Sequence, residues 1–276
     1  MYIFINNKFY RQKNAKVSAL DHGLLYGDGI FETMRCYNGI VFKIDGHIKR
    51  LFHSAQLINL NIPLKKSQLK EAIYSAIKKN KLIEAYIRLT ITRGTGNLGY
   101  DSACVPNVII IAKKFVPYPR SIYEKGVSVI TYNAERFIPE AKSISCLQLA
   151  LAKKEAARKN CFDAILVNKK GCITEGTVSN IFFARKNELY TPKEDILKGV
   201  TRETVISLAR RFLRIKETKI KLSDIQYFDE CFLTNTSAEI IPVIRINNKE
   251  MKKSPGEITK KLMEEFRKTL KKLILS

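Results

Sequence analysis

Residues 116–126, VPYPRSIYEKG, set two prolines among charged side chains, between two stretches that each mix strand-like and helix-like periodicity. Proline fixes φ and removes a backbone donor, so neither a helix nor a central strand runs through such a segment. A chain interrupted there is expected to fold as two units. The expected division is a smaller N-terminal α+β domain over 1–116, a linker over 117–125 and a larger C-terminal domain over 126–276. A length of 276 residues suits that division, because a chain of this size supports one large or two modest cores.

In the first half, YIFIN and KFYR read as a hairpin across the Asn6-Asn7 turn, and IVFKI, AYIRLTITR and NVIIIAKKF read as strands. Ile48, Leu51, Phe52, Ala55 and Ile58 recur at helical spacing, as do Leu69, Ala72, Ile73, Ala76 and Ile77. The second half continues with strand-like VSVITYN, FDAILVN, GCITEG, NIFFARKN, ECFLTN and EIIPVIRIN. Helix-like CLQLALAKKEAARKN lies among them, a helix follows LKGV with Thr201 as its cap, and a terminal helix carries Ile258, Leu262, Phe266 and Leu270. The pattern is that of two α+β or α/β units.

Composition narrows the function classes. The apolar fraction of 45% argues against disorder, and no apolar run approaches the ~20 residues that cross a bilayer. The opening MYIFINNKFYRQKN lacks the basic start, long apolar centre and small-residue cleavage site of a secretory leader, so a cytoplasmic location is expected, with no membrane partner. A net charge of +23 raises nucleic acid as a partner. The Lys and Arg residues are scattered over most expected helices, however, without the aromatic interleaving of a base-stacking platform, and the expectation is a solvated basic surface and no nucleic acid. The six cysteines are dispersed, with no C-x-x-C pair, and read as buried reduced thiols; His22, His47 and His53 have no acidic or cysteine companion at metal-ligand spacing, so no metal is expected.

Three features could bind an anionic cofactor. In LKGVTRET, Gly199 frees the backbone and Thr201 starts a helix whose N–H groups suit a phosphate, although the same pattern serves any helix start. LTNTSAE could offer Thr236 to the same phosphate, or be an ordinary turn. Lys142 sits where a loop meets a helix, the setting of an imine-forming amine or of a plain surface lysine. Glu175, between two apolar runs in ITEGTVSNIFF, is either a buried carboxylate that needs a partner or a hairpin-end acid in water.

LLYGDGIFETMR, GHIKRLFHSA, AYIRLTITRG, AKSISCLQLALAK, ITEGTVSNIFF, LKGVTRE and LTNTSAEIIPV occur in an order and spacing that resemble the class IV pyridoxal-phosphate aminotransferases. This is the fold-type IV family of branched-chain aminotransferases, D-amino acid aminotransferases and 4-amino-4-deoxychorismate lyases, and the resemblance covers nearly the whole chain. It implies the two-domain D-amino acid aminotransferase-like fold, with a larger C-terminal cofactor-binding domain and pyridoxal 5'-phosphate as cofactor. Lys142 then matches the lysine that bonds the cofactor and shuttles a proton, Glu175 the partner of its pyridine nitrogen, and Arg50 the phosphate-binding arginine. Val200, Thr201 and Thr236 match the remaining phosphate ligands. Members are usually homodimers, and the segment around DHGLLYGDG or residues 94–104 would reach the partner.

The same resemblance implies a transaminase acting on an amino acid, branched-chain or D, with a 2-oxo acid such as 2-oxoglutarate as acceptor. Arg88 matches an arginine that binds substrate carboxylate in branched-chain enzymes, whereas Leu147 stands where those enzymes usually carry tyrosine. The arginine and histidine that trap carboxylate shortly after the T-R-G motif of D-amino acid enzymes are absent, since the stretch here reads Asn97, Leu98, Gly99, Tyr100. Thr33 resembles the lyases, yet Leu98 replaces an arginine of their pattern, so the lyase stays as the alternative. Phe31, Thr33, Arg35, Arg88 and Tyr100 are the expected pocket wall, with Phe31 equally able to be core.

Overall fold

The computed structural model describes residues 1–275 and divides into two compact units. The first comprises Met1–Val116, Ala141–Cys146 and the chain end from Leu273; the second comprises Pro117–Glu140 and Leu147–Lys272.

The first unit contains β1 (Tyr2–Ile5), β2 (Lys8–Arg11), α1 (His22–Tyr26), β3 (Gly29–Tyr37), β4 (Ile40–Val41), α2 (Ile44–Leu57), α3 (Lys66–Lys79), β5 (Ala85–Thr95) and β6 (Val105–Lys114). Its six strands form an antiparallel sheet in the order β2-β1-β6-β5-β3-β4. The β1–β2 hairpin turns at Asn6 and Asn7, both at positive φ (47° and 69°), the conformation that a tight two-residue hairpin requires and that Asn tolerates. Side chains alternate across the sheet. Ile30, Met34 and Cys36 of β3, Ile87, Leu89 and Ile91 of β5, and Val108, Ile110 and Ala112 of β6 are buried with the apolar faces of α2 and α3. Phe31, Thr33 and Arg35 point the other way and stay half-buried.

Ala141–Cys146 belongs to this first unit although the residues on either side belong to the second. Its backbone pairs with the start of β3: Phe31 N–H donates to Lys142 O at 2.9 Å and Ile144 N–H donates to Gly29 O at 3.0 Å. Long-range backbone pairing of this kind leaves no signature in the local pattern, and a single cut near residue 120 does not capture it. IVFKI is a strand only at Ile40–Val41, because Lys43 takes a left-handed conformation (φ 50°) and α2 begins at Ile44. β3 itself does not stand out from the sequence pattern.

The second unit contains α4 (Ser121–Glu124), β7 (Val127–Asn133), α5 (Leu147–Arg158), β8 (Asp163–Val167), β9 (Cys172–Gly176), β10 (Asn180–Arg185), β11 (Glu188–Pro192), α6 (Val200–Ala209), β12 (Arg214–Thr218), β13 (Ile220–Lys221), β14 (Glu230–Asn235), β15 (Glu239–Ile246), β16 (Lys249–Glu250) and, as far as Lys272, α7 (Glu257–Leu275). The sheet is mixed, in the order β12-β11-β10-β14-β15-β7-β8-β9-β13, with β16 beside β15. β7 and β8 are parallel, joined by a connection that includes α5, which packs Ala152 and Ala156 against Ile130, Ala164 and Leu166. Phe183, Leu233, Ile241 and Val243 centre the core of the other face. Among the described residues, no helix is long and apolar enough to cross a membrane.

Candidate active site

Alternation along β3 turns Glu32 toward the helices, where it is fully buried. His47 and Arg50, three residues apart on α2, share the helix face that meets it. Arg50 Nε donates to Glu32 Oε1 and Arg50 Nη2 to Glu32 Oε2, both at 2.7 Å, and His47 Nδ1 donates to Oε2 at 2.8 Å. Burial by itself raises the Glu32 carboxyl, but the charge and hydrogen bonds of Arg50, then those of His47, outweigh it and hold the group at about 2. Burial depresses His47 below its usual 6.5 despite Glu32, with Arg50 and Lys142 adding repulsion. Since a carboxylate only accepts, the proton of the neutral ring lies on Nδ1. The resemblance brought forward Arg50 alone. Its two companions are announced only by H-x-x-R at helical spacing and by an acid on the apolar side of a strand.

On the opposite, open face of the sheet, Thr33 lies across from Arg88, Phe31 across from Thr90 and Arg35 across from Tyr86. The Arg88 guanidinium sits 3.9 Å from the centre of the Phe31 ring, and Lys142 Nζ sits 4.6 Å from the same centre. Lys142 is held there by its backbone pairing to Phe31 and by its N–H donating to Ser54 Oγ at 3.0 Å. Phe31, Arg88 and Lys142 are thus brought together, and Phe31 is half-buried rather than part of the core. Arg35 lies between two rings, 3.8 Å from the centre of Phe115 and 4.2 Å from that of Tyr37. Tyr100 is 87% exposed in the loop after β5, and its ring packs on Tyr26 at 4.9 Å.

The remaining expected site residues lie in the second unit. Glu175, in β9, is buried, which excludes the water-exposed reading. Its Oε1 accepts from Arg136 Nη1 at 2.9 Å; its Oε2 accepts from Leu197 N–H at 3.0 Å and faces Asn180 Nδ2 at 3.5 Å. The turn after it is braced by buried Asp163, whose carboxylate accepts from the hydroxyls of Thr177 and Ser179. Sequence reasoning missed Arg136, Asn180 and Asp163; a partner 39 residues away has no local signal.

Thr201 does not cap its helix. The cap is Gly199, whose carbonyl accepts from Glu203 N–H, and α6 begins at Val200 with no side-chain cap among the described residues. Asn180 packs so closely that a Cβ on Gly199 would lie 2.1 Å from its Oδ1, so any other residue at that cap would have to displace the Asn180 amide. Asn180 Nδ2 also donates to Leu197 O at 2.7 Å and ties this corner to β10. Thr236 lies in the turn between β14 and β15, next to Thr234, whose buried hydroxyl has no hydrogen-bond partner among the described residues.

The family model for class IV amino-transferases matches residues 29–246. A putative branched-chain-amino-acid aminotransferase of Methanocaldococcus jannaschii is 41% identical over 278 residues, covering 97% of this chain and 96% of the relative. A D-alanine aminotransferase of Bacillus licheniformis is 32% identical, covering 94% of each. The crystal structure of the T.th. branched-chain amino acid aminotransferase with pyridoxamine 5'-phosphate superposes with a TM-score of 0.90 at 30% identity, covering 95% of this chain and 92% of that one. The mixed α/β architecture with two sheets is that of the fold-type IV enzymes.

The Glu32 cluster predicts an acid-sensitive fold. Both His47 and Glu32 titrate lower when folded, so the unfolded chain binds more protons and stability falls as pH drops. Urea unfolding should lose stability first below about 6.5, from His47, and again as pH falls from about 4.5 toward 2, from Glu32. Glu32→Gln should cost about 3 kcal/mol at pH 7, since it leaves Arg50 buried without its counter-charge, and should flatten the second decline. A variant as stable as the parent at pH 7 would contradict this.

Proposed function

The chain belongs to the class IV aminotransferases, which use pyridoxal 5'-phosphate, and from that premise we propose that it exchanges the amino group of branched-chain L-amino acids with 2-oxoglutarate. The chain's own features fit the cofactor. α6 starts without a side-chain cap, as suits a phosphate on its N–H groups, a spare buried hydroxyl lies at Thr234, and Glu175 is a buried carboxylate already oriented by three donors. When bound, the cofactor supplies a carbonyl that links reversibly to amines and a ring that withdraws electrons.

In this reading Lys142 Nζ would hold the cofactor and would carry the proton removed from the substrate Cα. Glu175 would hold the ring nitrogen in its protonated form, and Arg136 and Leu197 N–H fix the carboxylate in place. The N–H groups of Val200 and Thr201, the Thr236 hydroxyl and Arg50 would hold the phosphate, and Arg50 is oriented by its two-pronged pairing to Glu32.

The substrate assignment rests on the open face of the first sheet. There, Arg88 is a guanidinium among half-buried Phe31, Thr90, Ile109 and Ile111. A cation beside apolar walls receives a carboxylate and an aliphatic side chain together. Phe31, Thr33 and Arg88 form this wall and Arg35, held between two rings, borders it, whereas Tyr100 packs on Tyr26 in the loop after β5. A second copy of the chain is the proposed partner, covering Leu20, Leu24 and Leu25, which are exposed around α1.

Absorption, turnover and sedimentation each check this reading. Protein loaded with pyridoxal phosphate should change from the absorption of the lysine-linked cofactor to that of the amine form on adding L-leucine or L-glutamate, but not D-alanine or D-glutamate. Lys142→Ala should lose the linked absorption and lower turnover by at least ~10²-fold. Conversion by the D series would overturn the substrate assignment, pyruvate release from aminodeoxychorismate without amino-acid conversion would install the lyase, and undiminished activity of the Lys142 variant would sink the whole scheme. In sedimentation at micromolar concentration the protein should run as a dimer, and Leu24→Asp should shift it toward monomer; a monomeric parent refutes the partner.

A further inference from the structure

A cavity of about 670 Å³ opens between α4 and the first turns of α7, lined entirely by residues of the second unit. None of them takes part in the proposed reaction or lies in the segment offered to the partner copy. Lys260, Met263, Glu264 and Arg267 recur at i, i+3, i+4 and i+7 and so form one stripe of α7, beside the buried stripe of Leu262, Phe266 and Leu270. Arg120 and Glu124 stand with Tyr123 on the α4 side, and Pro255 adds to the lining ahead of α7.

Both walls are fixed. Glu230, buried in β14, accepts from Ile258 N–H at 3.1 Å, Thr259 N–H at 2.8 Å and Thr259 Oγ1 at 2.7 Å, and so holds the first turn of α7. Arg120 O accepts from Tyr123 N–H at 3.0 Å and from Glu124 N–H at 3.1 Å, and Tyr123 packs against the core of the second unit while it lines the cavity. The cations of the lining are not spent on neighbours. Arg120, Lys260 and Arg267 are exposed and make no ion pair among the described residues, whereas Lys261 covers the ring of Phe212 at 4.1 Å and Lys268 pairs with Glu265 at 2.7 Å. In the i, i+4 pairs Arg120 with Glu124 and Lys260 with Glu264 the base precedes the acid, which is the weaker order on a helix. Three cations are thus left facing one concavity, beside a tyrosine, a methionine and a proline.

We propose that this cavity binds a nucleotide, with its phosphates on Arg120, Lys260 and Arg267 and its base against Tyr123 and Met263. A guanidinium fork matches phosphate oxygens in pairs, and an ammonium adds a point charge. A flat base buries its face on an aromatic ring and a polarisable thioether, and every base has such a face. The volume falls in the ~300–1,000 Å³ range of sites for drug-sized ligands, and an inorganic phosphate or a short dicarboxylate would leave most of it to water. Glu124 and Glu264 accept hydrogen bonds, which suits the hydroxyls of the sugar and keeps the phosphates to the cationic side. The site rests on the second unit alone and stands whichever amino acid the enzyme uses as donor.

The test titrates the protein loaded with pyridoxal phosphate, so that its cofactor site is filled, with ATP in a calorimeter, and repeats the titration with tripolyphosphate, which carries the charge without base or sugar. ATP should bind saturably, and tripolyphosphate roughly tenfold more weakly for want of the stacked base. No binding of ATP, or equal binding of the two, overturns the proposal. Arg120→Gln and Arg267→Gln, both at exposed positions, should each weaken ATP roughly tenfold and leave turnover unaltered; unchanged affinity in both variants overturns it. Photolabelling of the unaltered protein with 8-azido-ATP needs no variant: the adducts should fall on peptides carrying Tyr123 or Met263 and vanish under excess ATP, and adducts confined to other peptides contradict the site.

Discussion

Two backbone hydrogen bonds, Phe31 N–H to Lys142 O and Ile144 N–H to Gly29 O, carry the consequences of this fold furthest. They add a short segment from the middle of the chain to the edge of a strand from its beginning, and so fix a lysine against an aromatic ring that the strand itself presents. A lysine side chain has four rotatable carbons and large conformational entropy. Pinning its backbone on one side to Phe31 and on the other to Ser54 removes the part of that freedom which would otherwise scatter the amine.

From that fixed point, the pleat of β3 sorts the chemistry. Residues of one parity, Glu32 among them, enter the interior and meet α2, where a carboxylate, a guanidinium and an imidazole neutralise and orient each other out of water. Residues of the other parity, Phe31, Thr33 and Arg35, stay on the open face beside Arg88. One strand therefore supplies both the electrostatic anchor and the proposed substrate wall, and the period of two keeps them on opposite sides. In the second unit the same economy recurs at Asn180, which packs against Gly199, holds Leu197 O and faces Glu175, linking a strand, a helix start and a buried acid through one amide.

What the sequence disclosed and what it hid follow from the range of the interactions. α2, α3 and α7 were legible because their apolar residues recur at helical spacing, and the hairpin because two asparagines accept positive φ. β3 was not legible as a strand: one face mixes Glu32 with apolar residues and the other mixes Phe31 with Thr33 and Arg35, so neither parity is purely apolar. Thr201 reads as a cap because a hydroxyl at a helix start is the commoner arrangement, and only the fold shows that Gly199, packed against Asn180, takes that place. The need of Glu175 for a partner was readable from its apolar flanks. That the partners are Arg136 and the N–H of Leu197 was not, since folding alone brings them near.

The central claim is that the stitched lysine, among the many cations of a strongly basic chain, is the one that bonds pyridoxal phosphate. Borohydride reduction of the loaded protein makes that bond permanent, and peptide mass spectrometry then locates it. The account predicts the pyridoxyl group on Lys142 and essentially nowhere else; a label spread over surface lysines, or fixed on another single lysine, would contradict it.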